Sequence, residues 1–131
     1  MTEGQRIALD TNAAILLNKG HWLTAQVLAG YDEWLLPAPV VGELLFGAYN
    51  SGRPELNLRR ERSFIAGFGL LLVDAEAAER YAIIRHELKK QGQPIPENDM
   101  WIAAVCLANS LPLFTSDRHF SRVAGLQLVA A

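Results

Sequence analysis

The sequence predicts an α/β fold, a central and mainly parallel sheet covered by helices on both faces in a three-layer α/β/α sandwich. Two observations carry this. Short apolar runs suited to buried strands occur at Ile7 to Leu9, Trp34 to Leu36, Leu70 to Val73, Leu113 to Thr115 and Leu126 to Val129, and helical patterns fill the gaps between them. Strands that read as continuous apolar runs, each followed by a helix, are the signature of a parallel sheet with both faces covered. A third observation, the length of 131 residues, fits one domain spanning 1–131, because two independent cores would each be marginal.

Element by element, Ile7-Ala8-Leu9 is the first strand, ending at Asp10, after which an apolar helix begins. Trp34 to Leu36 leads into a helical stretch from Ala38 to Tyr49, in which Glu43 is the only charged side chain. A helix apolar nearly all round is expected to be buried, where an unpaired carboxylate is costly, so Glu43 calls for a partner cation. The polar stretch Asn50 to Arg62 reads as a turn entering a surface helix. Ala75 to Gln91 is the clearest helix: Ala78, Tyr81, Ala82, Ile84, Arg85 and Leu88 follow three-and-four spacing, and Gly92 with Pro94 stops it. Asp99 is expected to open a helix from Met100 to Asn109, apolar on every side from Trp101 to Ala108. Asp117 follows the Leu113 to Thr115 strand.

Composition narrows the function. Half the residues are apolar and a fifth are charged, which excludes a disordered chain. Twelve Lys and Arg against 14 Asp and Glu leave a net charge of -2, so nucleic acid is not drawn on indiscriminately and any contact with it is local. No uncharged apolar stretch reaches the roughly 18 residues of a membrane span, and the N-terminus, with Glu3, Arg6 and Asp10 through it, lacks the pattern of a signal peptide. With a lone cysteine, Cys106, in an apolar run, the expected location is cytoplasmic.

Taken singly, Asp10 and Asp99 could be helix caps and Asp117 a turn residue. Together, two acids after strand ends, one at a helix start and one inside an apolar helix can converge on the sheet edge where such folds bind ligands. Clustered carboxylates repel unless a cation neutralises them. An all-oxygen set selects a hard ion such as Mg²⁺ or Mn²⁺, and such ions act on phosphate esters by activating water and offsetting phosphoryl charge. The inference is metal-dependent phosphodiester hydrolysis.

With these residues placed, the sequence resembles the PIN-domain ribonucleases, and among them the VapC toxins of toxin-antitoxin pairs. The resemblance covers nearly the whole chain. It rests on Leu9-Asp10-Thr11-Asn12, on Gly42-Glu43-Leu44-Leu45-Phe46-Gly47-Ala48, on Tyr81-Ala82-Ile83-Ile84-Arg85, on Pro94 to Ala104 and on Thr115-Ser116-Asp117-Arg118-His119-Phe120, with 33, 56 and 18 residues between successive acids. It implies that Asp10, Glu43, Asp99 and Asp117 hold a divalent metal, Mg²⁺ with Mn²⁺ able to substitute, and that Thr115 orients Asp117 or a water, with Thr11 and Ser116 as lesser helpers. Many relatives carry Asn near the fourth position, where this chain has Ser116-Asp117. The implied activity is an endoribonuclease toxin acting on structured RNA such as tRNA or rRNA and leaving a 5′-phosphate and a 3′-hydroxyl. A VapB-type antitoxin and a homodimer are the implied partners.

His21, His86 and His119 lack the paired spacing of a zinc site, although His119 beside Asp117 could touch RNA, and Cys106 reads as a buried small hydrophobe. Arg53, Arg59, Arg60 and Arg62 read as a solvated face; Arg118 and Arg85 are the candidate RNA contacts, since a carboxylate site needs cations to hold a phosphate backbone. Two alternatives remain. A phosphate-receiving signalling domain fits the alternation and could use Asp74, but this chain has no lysine after Lys90. An inactive PIN-fold protein-binding module would be expected to have lost some of the acids.

Overall fold

The computed structural model describes residues 5–130; the part of the signal-peptide argument that rests on Glu3 lies outside them. Strands β1 (Arg6–Leu9), β2 (Glu33–Pro37), β3 (Gly69–Leu71), β4 (Leu113–Thr115) and β5 (Leu128–Ala130) form one sheet in the order β3-β2-β1-β4-β5, parallel throughout. Helices α1 (Thr11–Asn18), α2 (Trp22–Leu28), α3 (Ala38–Tyr49), α4 (Pro54–Ile65), α5 (Ala75–Gln91) and α6 (Glu97–Ala108) connect them, and a 3₁₀ turn covers Arg118–Arg122. A phosphate-receiving domain has the order 2-1-3-4-5, so this order excludes that alternative.

The central strand β1 is buried from Ile7 to Leu9, with Ile7 opposite Trp34 on one side and Leu9 opposite Phe114 on the other. Helix α6 is the most deeply set helix: Ile102 to Cys106 are fully buried and, with Phe114, Phe120 and Leu36, they form the core. Burying each such large side chain contributes about 1.5–3 kcal/mol. The core is therefore deepest at β1 and α6, the two elements that carry Asp10 and Asp99 at their ends.

Helix α5 has the bounds the sequence predicts, because both signals are local. The Asp74 carboxylate accepts from the Ala77 N–H at 2.9 Å, and Gly92 takes the left-handed conformation (φ 65°) that ends the helix. Its core face differs by about one position: Ala77, Ile84 and Leu88 are buried and Tyr81 half-buried, while Ala78 and Ala82 face out. The edge strands also differ. β3 ends at Leu71, leaving Leu72 and Val73 exposed, because its partner β2 ends at Pro37, which has no N–H to give and passes directly into α3. At the other edge β5 runs two residues later than the apolar run suggests at its start, and ends one later.

A larger correction concerns α3. The helix is not buried all round: Val40, Leu44 and Ala48 face the core while Phe46 and Tyr49 stand well exposed. Apolar character there does not mean coverage within this chain.

Candidate active site

Strand order reverses between β1 and β4, and loops diverging from such a point leave a crevice at the carboxyl ends of the strands. Asp10 follows β1 and Asp117 lies two residues past β4, so adjacent strands deliver both acids to that crevice. Asp10 is only 2% exposed. One of its oxygens accepts from the Ala13 N–H at 2.8 Å and so caps α1; the other takes the Thr115 hydroxyl. The cap reading of Asp10 therefore holds, and the same carboxylate lies at the crevice. Burial raises its carboxyl pKa. The hydrogen bonds from Thr115 and Ala13 oppose that rise, and the nearby charges of Asp117 and Asp99 add to it.

Thr115 also accepts from the Asp117 backbone N–H at 3.0 Å, so one buried hydroxyl ties the two strand-end acids together. The Asp117 carboxylate accepts from Asn12 Nδ2 at 3.4 Å. Asp99 does not cap its helix. α6 begins at Glu97, and Asp99 sits in the first turn with its N–H on the Pro96 carbonyl at 3.0 Å. The helix starts three residues earlier than a capping Asp99 would start it, with Pro96 in the cap position. Asp99 Oδ2 instead meets His119 Nε2 at 2.8 Å. Burial raises the Asp99 pKa, His119 opposes the rise, and Glu43 and Asp117 add to it.

Glu43 reaches the same crevice from α3, half-buried, and its Oε1 accepts from Thr11 Oγ1 at 2.8 Å and Asn98 Nδ2 at 2.7 Å. Two neutral donors thus set the direction of the Glu43 carboxylate. The charges of Asp117 and Asp99 bear on Asp10 and those of Glu43 and Asp117 on Asp99, and Asp99, Asp117 and His119 each offer a ligand atom within 4.8 Å of one another. This group could hold a metal ion.

Among the cations, Arg118 is exposed directly beside Asp117. Arg85 is engaged with the Tyr81 hydroxyl at 2.7 Å and Glu97 at 3.4 Å, on an aromatic pair in which Tyr81 stacks on Trp101 at 3.8 Å. Arg53, Arg59, Arg60 and Arg62 are exposed along and just before α4, as expected. Of these, Arg60 joins Lys19 in lining an open cleft of about 850 Å³ that has Glu43 and Glu61 on its walls. Sequence reasoning did not single out Asn12, Asn98 or Lys19 for the site. The two asparagines lie inside the blocks that carry the resemblance, two positions after Asp10 and one before Asp99, and that placement is the signal that could have found them. Cys106 is buried beneath the site, its thiol pushed up to about 12 by burial and then by Asp10, and it is no nucleophile.

A PIN-domain family model matches residues 7–126. The tRNA(fMet)-specific endonuclease VapC of Shigella flexneri is 32% identical over 93% of this chain and 95% of its own. Ribonuclease VapC2 of Haemophilus influenzae is 32% identical over 91% and 92%. Among solved structures, VapBC-1 from nontypeable Haemophilus influenzae superposes with a TM-score of 0.90 at 28% identity, over 96% of this chain and 98% of that one. By sequence along almost its whole length, and by the sheet order that brings its acids together, the chain belongs to the PIN-domain family and, within it, to the VapC ribonucleases.

Proposed function

We propose that the chain is the endoribonuclease toxin of a VapBC-type toxin-antitoxin pair, acting in the cytoplasm, and that it hydrolyses structured RNA such as tRNA or rRNA with Mg²⁺ or Mn²⁺. The observation that carries this reading is the meeting of Asp10, Glu43, Asp99 and Asp117 at the β1/β4 crevice, with Thr115 joining the two strand-end acids. Burial raises the pKa of Asp10 and Asp99 and the neighbouring carboxylate charges add to the rise, an arrangement that costs stability unless a cation is to be held there.

The donors fit a divalent ion: Asp10, Asp99, Asp117 and Glu43 supply carboxylate oxygens. When bound, such an ion activates water and offsets charge on the phosphoryl oxygens. This chain's own groups do the rest. Thr115 holds Asp10, Thr11 and Asn98 hold Glu43, and Asn12 contacts Asp117, so the carboxylates are oriented before RNA arrives. Arg118, exposed beside Asp117, meets the phosphate backbone that the acids would repel, with Arg85 as a weaker contact. The neutralising antitoxin inserts a tail whose Arg or Lys replaces the cation, along the cleft that has Glu43 and Glu61 on its walls. The toxin itself forms a homodimer.

Purified protein should cleave RNA with Mg²⁺ or Mn²⁺ and stop in EDTA, and Asp99→Asn should lower the rate at least about 100-fold. Undiminished cleavage by Asp99→Asn, in a preparation shown free of contaminating nuclease, would refute the assignment.

A further inference from the structure

The imidazole of His119 has a place in the site that neither a surface histidine nor an RNA contact explains. The 3₁₀ turn after β4 carries it, and that turn is fastened to the core by the next residue, Phe120, which is fully buried. The two rings lie 4.9 Å apart and tilted by 44°, so the imidazole rests on an immobile support. Its Nε2 lies 2.8 Å from Asp99 Oδ2, and both side chains are largely shielded, at 23% and 19% exposure. With Asp99 ionised, its carboxylate only accepts hydrogen bonds and Nε2 is the donor.

We propose that His119 is a positioning residue for the metal centre, donating from Nε2 to Asp99 so that one carboxylate oxygen is fixed and the other is left for the cation. The inference rests on the metal reading of the four acids. Direct ligation by His119 is the competing arrangement, because its ligand atom belongs to the same group as those of Asp99 and Asp117. The observed contact favours positioning: a ring nitrogen that carries a proton toward Asp99 has no lone pair to offer an ion. Each of the other three acids receives a comparable side-chain donor, Thr115 on Asp10, Thr11 and Asn98 on Glu43, and Asn12 on Asp117. His119 completes that set for Asp99. Carboxylate ligands are held by hydrogen bonds of this kind, and losing one costs about 10- to 100-fold in metal affinity.

The test is calorimetric titration of Mn²⁺ into the metal-free parent and into His119→Gln, His119→Leu, His119→Ala and Asp99→Asn, with thermal melts in EDTA as the control for folding. A glutamine amide places an N–H near the position of Nε2, so His119→Gln should bind within about threefold of the parent, while the leucine and alanine variants should lose about 10- to 100-fold. Alanine serves if leucine fails to fold. Parent-like binding by the folded leucine or alanine variant overturns the proposal. So does a glutamine variant as weak as leucine, which would make the ring a direct ligand. If Asp99→Asn loses binding while both apolar variants keep it, the metal site stands and only the role of His119 falls. A parent that takes no Mn²⁺ removes the metal reading and this inference together.

Discussion

The two oxygens of Asp10 are committed to two tasks, one to the N–H of Ala13 at the start of α1 and the other to the Thr115 hydroxyl. That double engagement fixes the carboxylate rigidly, whereas Glu43, on a longer side chain and half-exposed, depends on Thr11 and Asn98 for its direction. Asn98 is itself exposed, so its removal leaves Glu43 free to hydrate and costs little in folding. Asn98→Leu should therefore lower Mn²⁺ affinity and cleavage by about tenfold while changing stability by less than about 0.5 kcal/mol. Metal titration beside a urea melt separates the two effects. Unchanged affinity would mean that Thr11 alone orients Glu43. The acids themselves were legible in the sequence because each occupies a place where a carboxylate is conspicuous, after a strand or among apolar residues. Their donors were not, since Asn12 and Asn98 look like ordinary loop and helix-start residues until the fold brings them across from residues 105 and 55 positions away.

The same contrast holds among the secondary-structure elements. Helix α5 could be bounded at both ends because a capping Asp and a left-handed Gly act within one turn of the chain. The edge strands could not, because the length of a strand is set by its partner, and β2 ends in a proline. Nor could the exposed side of α3, since Phe46 and Tyr49 are apolar whether or not anything in the chain covers them. The 3₁₀ turn is the element with most at stake for the site: five residues that hold Asp117 and His119 in place through one anchor, Phe120. Phe120→Ala should destabilise the protein by about 3–5 kcal/mol, the usual cost of emptying a fully buried aromatic site. Against a typical total of about 5–15 kcal/mol the fold survives at 25 °C. An unfolding free energy from urea melts within about 1 kcal/mol of the parent's would show that packing does not anchor the turn.

Folding draws four carboxylates to one crevice, and in the metal-free protein their repulsion bears on the stability of the whole molecule. Asp10 and Asp99 both have pKa values raised in the fold above their ordinary 3.8, chiefly by burial. The native state therefore holds their protons more tightly than the unfolded chain does. The stability linked to each group is fully present below 3.8 and is lost as pH rises through the folded value. An uncharged Asn at position 99 has no such loss. The stability difference between Asp99→Asn and the parent in EDTA should thus shift in favour of the mutant as pH rises from 3.8 and then level off. A first-turn acid also interacts favourably with the N-terminus of α6, and losing that costs about 0.3–1 kcal/mol, which sets how far the mutant must gain before it overtakes the parent. Metal reverses the order. A ligand bound only by the folded state stabilises it by about 2.7 kcal/mol at a hundredfold excess over Kd. At about 3 °C per kcal/mol for a chain of this size, Mn²⁺ at pH 7 should raise the parent's melting temperature by roughly 8 °C. The Asp99→Asn protein, lacking one of the ligands, should move by a small fraction of that. Equal shifts in the two proteins would mean that the ion binds elsewhere, and a flat pH dependence of their difference would mean that Asp99 is not held as a buried acid among acids.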